Sequence, residues 1–243
     1  MRPLAVEGVA AGYGGQPVFA DLSLEVEAGE IVGLIGLNGV GKTTLIKAIL
    51  GLVECQGAIR LFGEDFRRPE SRRHLAYLPE KFQPSHLLKG WEFLSLTLSY
   101  YGRPLDRERA RAMALGLDLD PEVLGKSGRS YSKGMGQKLG LAATLLTGLP
   151  LLVLDEPMSG LDPRARIRLK DQLLATRQEG RSVFFSSHIL ADIEEICDRI
   201  AVLHGGRLIY VGPPAPFRTR HGGATLERAF LAAITAAEGG AIR

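Results

Sequence analysis

The sequence predicts an α/β fold in which the strands of a mainly parallel sheet are interrupted by a helical insertion. Three short apolar runs, at Ile31–Ile35, Leu151–Leu154 and Val183–Phe185, are typical of strands that a parallel sheet buries on both faces. From about Pro84 to Thr147 the apolar residues recur at helical spacing instead. With 243 residues, the chain has the length of one domain that carries such an insertion.

The individual elements follow in chain order. Leu22–Val26 and Ala58–Phe62 alternate apolar and polar residues and predict half-buried strands. A helix is expected from Lys42 to about Leu50, where Gly51 can end it. In the insertion, apolar side chains at positions 91, 94, 98 and 101 share one helix face and are expected to pack in the core rather than bind a ligand.

After Pro150 the strand pattern returns. Arg164–Arg177 has the composition of a polar helix, and Val202–His204 and Leu208–Val211 predict a hairpin around two glycines. The chain closes with an amphipathic stretch that carries Leu226, Phe230 and Ile234.

Composition and charge disfavour nucleic-acid binding, cysteine-based metal or disulfide sites, and a membrane-spanning or secreted chain. The net charge of +3 is too small to indicate nucleic-acid binding, and the four arginines between residues 67 and 73 are expected to form a solvated surface. Cys55 and Cys197 have no metal-ligand or disulfide spacing. No apolar run reaches the roughly 18–20 residues of a membrane span, and the first residues lack a secretory signal. We therefore expect a cytoplasmic chain whose membrane role, if it has one, depends on a partner.

The segment GLNGVGKTT between the first buried strand and the following helix matches the phosphate-binding pattern G-x-x-x-x-G-K-[ST]. Its glycines let the backbone wrap around phosphates, and the helix start presents free N–H groups and a positive dipole end. Lys42 is expected to reach the β- and γ-phosphates, and the Thr43 hydroxyl to bind Mg²⁺. The candidate nucleotide-binding residues are Gly36, Leu37, Asn38, Gly39, Val40, Gly41, Lys42, Thr43 and Thr44.

Two carboxylates end the strand Leu151–Leu154. Asp155 suits a residue that holds Mg²⁺, and Glu156 can polarise an attacking water beside the γ-phosphate. Acidic residues also end strands for solubility. The two carboxylates therefore indicate a site for Mg²⁺ and an attacking water only in combination with the phosphate-binding loop. Both motifs occur in kinases, GTPases and helicases. A GTPase is disfavoured because Asn38 is the only asparagine, which leaves no Asn-Lys-x-Asp element to read guanine.

A third motif, Tyr131-Ser-Lys-Gly-Met-Gly-Gln-Lys138, opens the helical stretch before the carboxylate strand. It resembles the signature of ABC-type ATPases, usually written Leu-Ser-Gly-Gly-Gln. Ser132 and Gly134 match this signature, whereas Tyr131, Lys133 and Met135 depart from it. Ser132 is also a natural N-cap for the helix.

The resemblance extends over nearly the whole chain, in the family's motif order. It implies that Tyr13 stacks on adenine, that Asp155 and Glu156 are the Walker B pair, and that His188 is the switch histidine, so that Glu156 and His188 are catalytic. Ser159-Gly-Leu-Asp162 is similar to the D-loop. The implied cofactors are ATP and Mg²⁺. The implied fold is a RecA-like P-loop NTPase core with an N-terminal antiparallel β subdomain (residues 1–84 and 148–243) and a helical signature subdomain (residues 85–147).

In this family two subunits pack head to tail, and the signature of each closes on the γ-phosphate held by the other. The resemblance therefore implies that Ser132, Gly134 and Asp162 contact nucleotide bound by a partner, either a second copy or a homologous ATPase subunit. It also implies an integral membrane permease subunit and a location at the cytoplasmic face of the membrane.

One position departs from the family. Tyr77-Leu-Pro-Glu80 places Glu80 where glutamine usually reports the nucleotide state to the membrane subunit. Together with the signature variant and the closing segment Leu226–Leu231, this resembles the subgroup that drives ABC-2-type exporters. The expected function is the ATPase subunit of an ABC transporter, with export as the direction and a cargo that this chain does not specify.

Two other functions are weighed against this one. A soluble ABC ATPase of DNA repair would carry long coiled coils, and a translation-type member usually carries two ATPase units; the sequence shows neither. A P-loop kinase is disfavoured by the signature motif.

Overall fold

A computed structural model describes residues 1–240, which form ten strands in two sheets and eight α-helices, besides short 3₁₀ turns. Residues 241–243, the end of the predicted core segment 148–243, lie outside the described residues. Within the described part, no helix has both the length and the apolar character that a membrane span requires.

A six-stranded sheet forms the centre of the molecule. Its spatial order is β10-β9-β3-β8-β7-β6, and every neighbouring pair is parallel except β10 and β9. Every residue of β3, β7 and β8 is buried, as the continuous apolar runs predict. The strands are β3 (Ile31–Ile35), β6 (Leu75–Leu78), β7 (Leu151–Leu154), β8 (Ser182–Ser187), β9 (Arg199–His204) and β10 (Arg207–Gly212).

A second, four-stranded sheet is antiparallel, in the order β2-β1-β4-β5. Its strands are β1 (Leu4–Tyr13), β2 (Gln16–Val26), β4 (Cys55–Leu61) and β5 (Glu64–Asp65). The strand β1 was not predicted from the sequence. The reason is a register shift between Val6 and Val9, at Gly8 with φ 56°, which moves the buried residues out of strict alternation.

The helices surround the central sheet. Three of them, α2 to α4, lie between β6 and β7 in sequence and correspond to the expected helical insertion. Its proposed limits, residues 85–147, stay a prediction. The helices are α1 (Lys42–Ile49), α2 (Gly90–Tyr100), α3 (Arg107–Gly116), α4 (Lys133–Leu146), α5 (Pro163–Gln178), α6 (Leu190–Ile196), α7 (Pro214–Arg220) and α8 (Leu226–Gly240).

The central sheet separates two apolar cores. Along β3, Ile31 and Ile35 pack into the core formed with α2 to α8, whereas Val32 and Leu34 pack against α1 and the antiparallel sheet. This alternation follows from the period of two along a strand. The predicted P-loop NTPase fold with an antiparallel β subdomain and inserted helices is confirmed. The carboxyl ends of β3, β6, β7 and β8 all meet at one edge of the sheet.

Candidate nucleotide-binding site

The loops that follow β3, β6, β7 and β8 converge on one cavity of about 310 Å³ at the carboxyl edge of the central sheet. A crevice at this edge is the usual place for a ligand in an α/β sheet. The cavity is lined by Asn38, Gly39, Gly41, Lys42, Thr43, Thr44, Glu80, Glu156 and His188.

The glycine loop after β3 needs its glycines for steric reasons. Gly39 and Gly41 have φ values of 80° and 112°, which residues that carry a Cβ rarely adopt. A Cβ on Gly36 would lie 2.6 Å from the Leu203 carbonyl oxygen. Gly41 caps α1 without any side-chain hydrogen bond, so the first N–H groups of the helix face the cavity without a competing side chain. This end of α1 can therefore accept an anion.

Lys42 supplies the cation of the cavity and is only 7% exposed. Its Nζ donates to the Gly36 carbonyl at 2.9 Å and lies 3.3 Å from Glu156 Oε1. The ammonium group is thus held at the mouth of the loop by oxygen atoms. A phosphate oxygen can replace these acceptors.

Glu156 has a backbone conformation that is uncommon for its residue type, with φ 48° in the left-handed region. Two contacts to the neighbouring strand and loop hold it there. Its N–H donates to Ser186 Oγ at 2.9 Å, and its Oε2 lies 2.7 Å from His188 Nδ1. Such conformations cost about 1–3 kcal/mol and persist where the surrounding contacts fix them. Here the bend directs the carboxylate into the cavity beside Lys42.

Asp155 is buried, with 1% of its surface exposed. Ser186 Oγ donates to its Oδ1 at 2.6 Å, but its Oδ2 is buried without any hydrogen-bond partner among the described residues. A buried carboxylate oxygen is costly unless a cation or a donor satisfies it. Asp155 does not itself line the 310 Å³ cavity, but its unpaired oxygen fits the predicted role of holding Mg²⁺, directly or through water.

Glu80 follows β6 and lines the same cavity with an exposed side chain. Burial, followed by the charges of Asp155 and Glu80, raises the pKa of Tyr77 to about 12. Both carboxylates therefore act on the same phenol. Together with Glu156, which lies 3.3 Å from Lys42, they place three acidic groups at this edge of the sheet.

Four predicted residues lie away from the cavity. Ser132 caps α4, where its Oγ accepts from the Met135 N–H at 3.2 Å, and Asp162 caps α5 by accepting from the Ala165 N–H at 3.0 Å. A Cβ on Gly134 would lie 3.2 Å from the Gly160 carbonyl oxygen, so the two helix starts are adjacent. Tyr13, at the end of β1, is 53% exposed. Within one chain these residues contribute nothing to the cavity.

Leu37 and Val40 do not line the main cavity. Gly36 does not line it either. Gly36 and Leu37 line a smaller neighbouring cavity of about 240 Å³, together with His188 and Phe230, and Asn38 lines both cavities. Leu37 is 48% exposed, and Val40 packs at the edge of the apolar core around α1. The loop is therefore accessible from two sides.

Two residues that position the site were missed by the sequence analysis. Ser186 bridges Asp155 and the Glu156 N–H; a polar residue inside a buried strand is the signal that could have found it. Lys138, on α4, donates from Nζ to the Asp118 carbonyl at 2.8 Å and lies 3.7 Å from Asp162 Oδ2. No sequence spacing indicates that second contact.

The chain is similar in sequence to known proteins. The family model described as ABC transporter matches residues 19–159. An uncharacterised ABC transporter ATP-binding protein of Synechocystis sp. is 40% identical over 195 residues, which cover 79% of this chain and 55% of that protein. The ABC-type transporter ATP-binding protein EcsA of Bacillus subtilis is 36% identical over 226 residues, covering 91% of this chain and 92% of the relative.

One further relative and one solved structure are also similar to this chain. The Nod factor export ATP-binding protein I of Burkholderia orbicola is 34% identical over 223 residues, covering 88% of this chain and 72% of the relative. A solved ATP-binding subunit of an ABC transporter superposes with a TM-score of 0.88 at 34% identity, covering 95% of this chain and 98% of that one. The chain spans about half the length of two curated relatives, 55% of the Synechocystis protein and 58% of a Nostoc one.

Proposed function

The chain belongs to the family of ABC transporter ATP-binding proteins, and we propose that it is the ATPase subunit of an exporter. ATP would bind in the 310 Å³ cavity and bring two subunits together head to tail. The observation that carries the proposal is the convergence of a cation, Lys42, and a carboxylate, Glu156, on a cavity that the free N–H groups of α1 also face. ATP binding is the common property of this family.

The contacts of Lys42 suggest how binding and hydrolysis are linked. In the structure its Nζ lies 3.3 Å from Glu156 Oε1. A γ-phosphate at the loop would attract the ammonium group more strongly than one carboxylate does, because it carries more charge. Glu156 would then be free to accept a proton from the attacking water. His188, at 2.7 Å from Glu156 Oε2, would orient that carboxylate and contact the γ-phosphate.

Thr43 and Asp155 would hold Mg²⁺, and the ion would supply positive charge that neutralises the phosphate oxygens. The buried, unpaired Oδ2 of Asp155 supports this assignment. Glu80 would face the same ion or its water from the loop after β6. The stacking of Tyr13 on adenine stays a prediction, since this exposed residue does not line the cavity.

The proposed partners are a second ATPase subunit, identical or homologous, and an integral membrane permease subunit that would place this chain at the cytoplasmic face of the membrane. The positions of Ser132, Gly134 and Asp162 outside the cavity support a head-to-tail dimer, in which they would meet nucleotide on the other subunit. Export as the direction rests on the resemblance to the ABC-2-type subgroup and on a relative that is named as an export ATP-binding protein.

The variant Glu156→Gln tests the proposal. With Mg²⁺ and ATP, we expect this variant to form a stable dimer in size-exclusion chromatography with light scattering. Its turnover should fall by about 10²–10⁴, the usual contribution of a positioned general base. Glu122→Gln, at a carboxylate on the surface of the helical insertion, is the matched control and should behave as the wild type. Normal turnover by Glu156→Gln would refute the role given to Glu156.

A further inference from the structure

A buried ion pair joins α5 to α6, and neither of its residues lines the nucleotide cavity. Lys170 Nζ lies 3.3 Å from Asp192 Oδ1, and both side chains are about 10% exposed. The same ammonium group also pairs with Glu195, whose side chain is exposed. The pair sits beside the apolar core to which both helices contribute, Leu169 and Leu173 from α5 and Ile193 and Ile196 from α6.

Stability alone does not explain this pair. Asp192 Oδ2 is buried without a hydrogen-bond partner in the described part of the chain, so the carboxylate is only half satisfied. Removing two charges from water costs free energy that their attraction repays only when the geometry is good and the remaining polar atoms are bonded. Apolar side chains of similar volume are often as stable at such sites, or more stable. A directional pair, unlike an apolar contact, fixes one register between two helices.

The helices α5 and α6 begin next to residues that are expected to face different nucleotide sites of the proposed dimer. α5 begins directly after Asp162, its N-cap, which is expected to face the nucleotide of the partner subunit. α6 begins two residues after His188, which lines the nucleotide cavity of its own subunit. The Lys170–Asp192 pair therefore connects the element that faces one site with the element that faces the other.

On its other face, α6 is held by hydrogen bonds to the Glu194 carboxylate. Glu194 accepts from Arg218 Nη1 on α7 at 2.5 Å and from the Leu226 N–H at the start of α8 at 3.2 Å. Any movement of the His188 segment that shifts α6 is thus resisted on one side by α7 and α8. On the side that faces α5, the contact between Asp192 and Lys170 transmits such a movement of α6 to α5.

We propose that Lys170 and Asp192 are positioning residues that couple the two nucleotide sites of the dimer, transmitting the position of the His188 segment to the Asp162 segment. This inference rests on the proposed head-to-tail dimer. It predicts that ATP turnover by the wild-type chain rises cooperatively with ATP concentration and that this cooperativity depends on the pair. Neither residue touches substrate.

The test replaces both charges at once, in the double variant K170M/D192L. Lys170→Met alone would leave Asp192 buried and unpaired, and Asp192→Leu alone would leave the buried Lys170 with the exposed Glu195 as its partner. We expect an unfolding temperature close to that of the wild type. The Hill coefficient for ATP should fall to about 1, and the affinity advantage of the second ATP over the first should shrink about two- to thirtyfold. R177M is the matched control, since Arg177, also on α5, pairs with Asp198, which lies directly before β9 and outside α6. Its cooperativity should stay as in the wild type.

Two results would overturn the inference. One is a folded K170M/D192L variant that keeps the wild-type Hill coefficient, which would make the pair merely structural. The other is a wild-type chain without cooperativity whose Glu156→Gln variant still dimerises with ATP. If Glu156→Gln fails to dimerise with ATP, the proposed function fails instead, and the two failures are distinguished.

Discussion

Glu80 places a negative charge in a cavity that is expected to receive a polyanion. Replacing its carboxylate with an amide, in Glu80→Gln, keeps the shape and removes the charge. We expect nucleotide affinity in the absence of Mg²⁺ to rise about three- to tenfold, an effect that salt should screen, because Glu80 is exposed. Affinity with Mg²⁺ should change less, since the ion compensates the charge.

Titration of a fluorescent ATP analogue, with and without chelator, measures both affinities of the Glu80 variant. Glu122→Gln again serves as the control for the loss of a surface carboxylate. Weaker binding by Glu80→Gln in the presence of chelator would contradict the charge argument.

The two cysteines differ in accessibility. Burial raises the pKa of the Cys197 thiol well above its usual value, and burial also raises the pKa of the less buried Cys55. Because the thiolate is the reactive form, a raised pKa lowers the reactive fraction at neutral pH and delays its appearance as pH increases. At pH 7.5 a maleimide should label Cys55 slowly and Cys197 only after unfolding; mass spectrometry of peptides, with Cys55→Ser as control, reads this out. Fast labelling of Cys197 in the folded chain would be inconsistent with its burial.

Between elements, the contact of α6 with β3 depends on the absence of one side chain. A Cβ on Gly33 would lie 2.6 Å from Ile193 Cδ1 and 2.9 Å from Cys197 Sγ. Gly33→Ala should therefore push α6 away from the sheet and lower the free energy of unfolding by about 1–3 kcal/mol. Urea denaturation measures this change. Gly125→Ala is the control, because a Cβ there meets no atom within 4 Å. Equal stability of the two variants would show that α6 accommodates the methyl group.

The elements differ in how far the sequence predicts them. β3, β7 and the start of α1 were predicted with their observed limits, because continuous apolar runs and the glycine loop are local signals. β6 was missed: its four residues, Leu75–Leu78, are too few to show a period, and they form a strand because β7 pairs with them. The hydrogen bonds of Ser186 were not predicted because they too depend on contacts between distant parts of the sequence. They join residues 30 and 31 positions apart in sequence, and only the sheet brings these together.

At the scale of the whole molecule, the predicted motifs fall into two groups that one chain keeps apart. The glycine loop, Glu156 and His188 share a cavity, whereas Ser132 and Gly134 lie at the start of α4 outside it. The motif order predicts both groups, and their separation in space supports the proposed second subunit. The nearby Asp162 belongs with the second group, and Lys138 links its helix to α4.

This separation predicts complementation between two inactive variants. Ser132→Arg would place a cation and a bulky side chain at the expected interface, and Lys42→Ala would remove the phosphate-binding cation; each should abolish ATP-dependent turnover on its own. In a mixed dimer, the intact loop of the Ser132→Arg chain would meet the intact Ser132 of the Lys42→Ala chain, which restores one complete site. Mixing the two purified variants should therefore recover a part of the wild-type turnover. Ser99→Arg, at the exposed end of α2, is the control for an added arginine and should stay active. A mixture as inactive as its components would argue against sites shared head to tail.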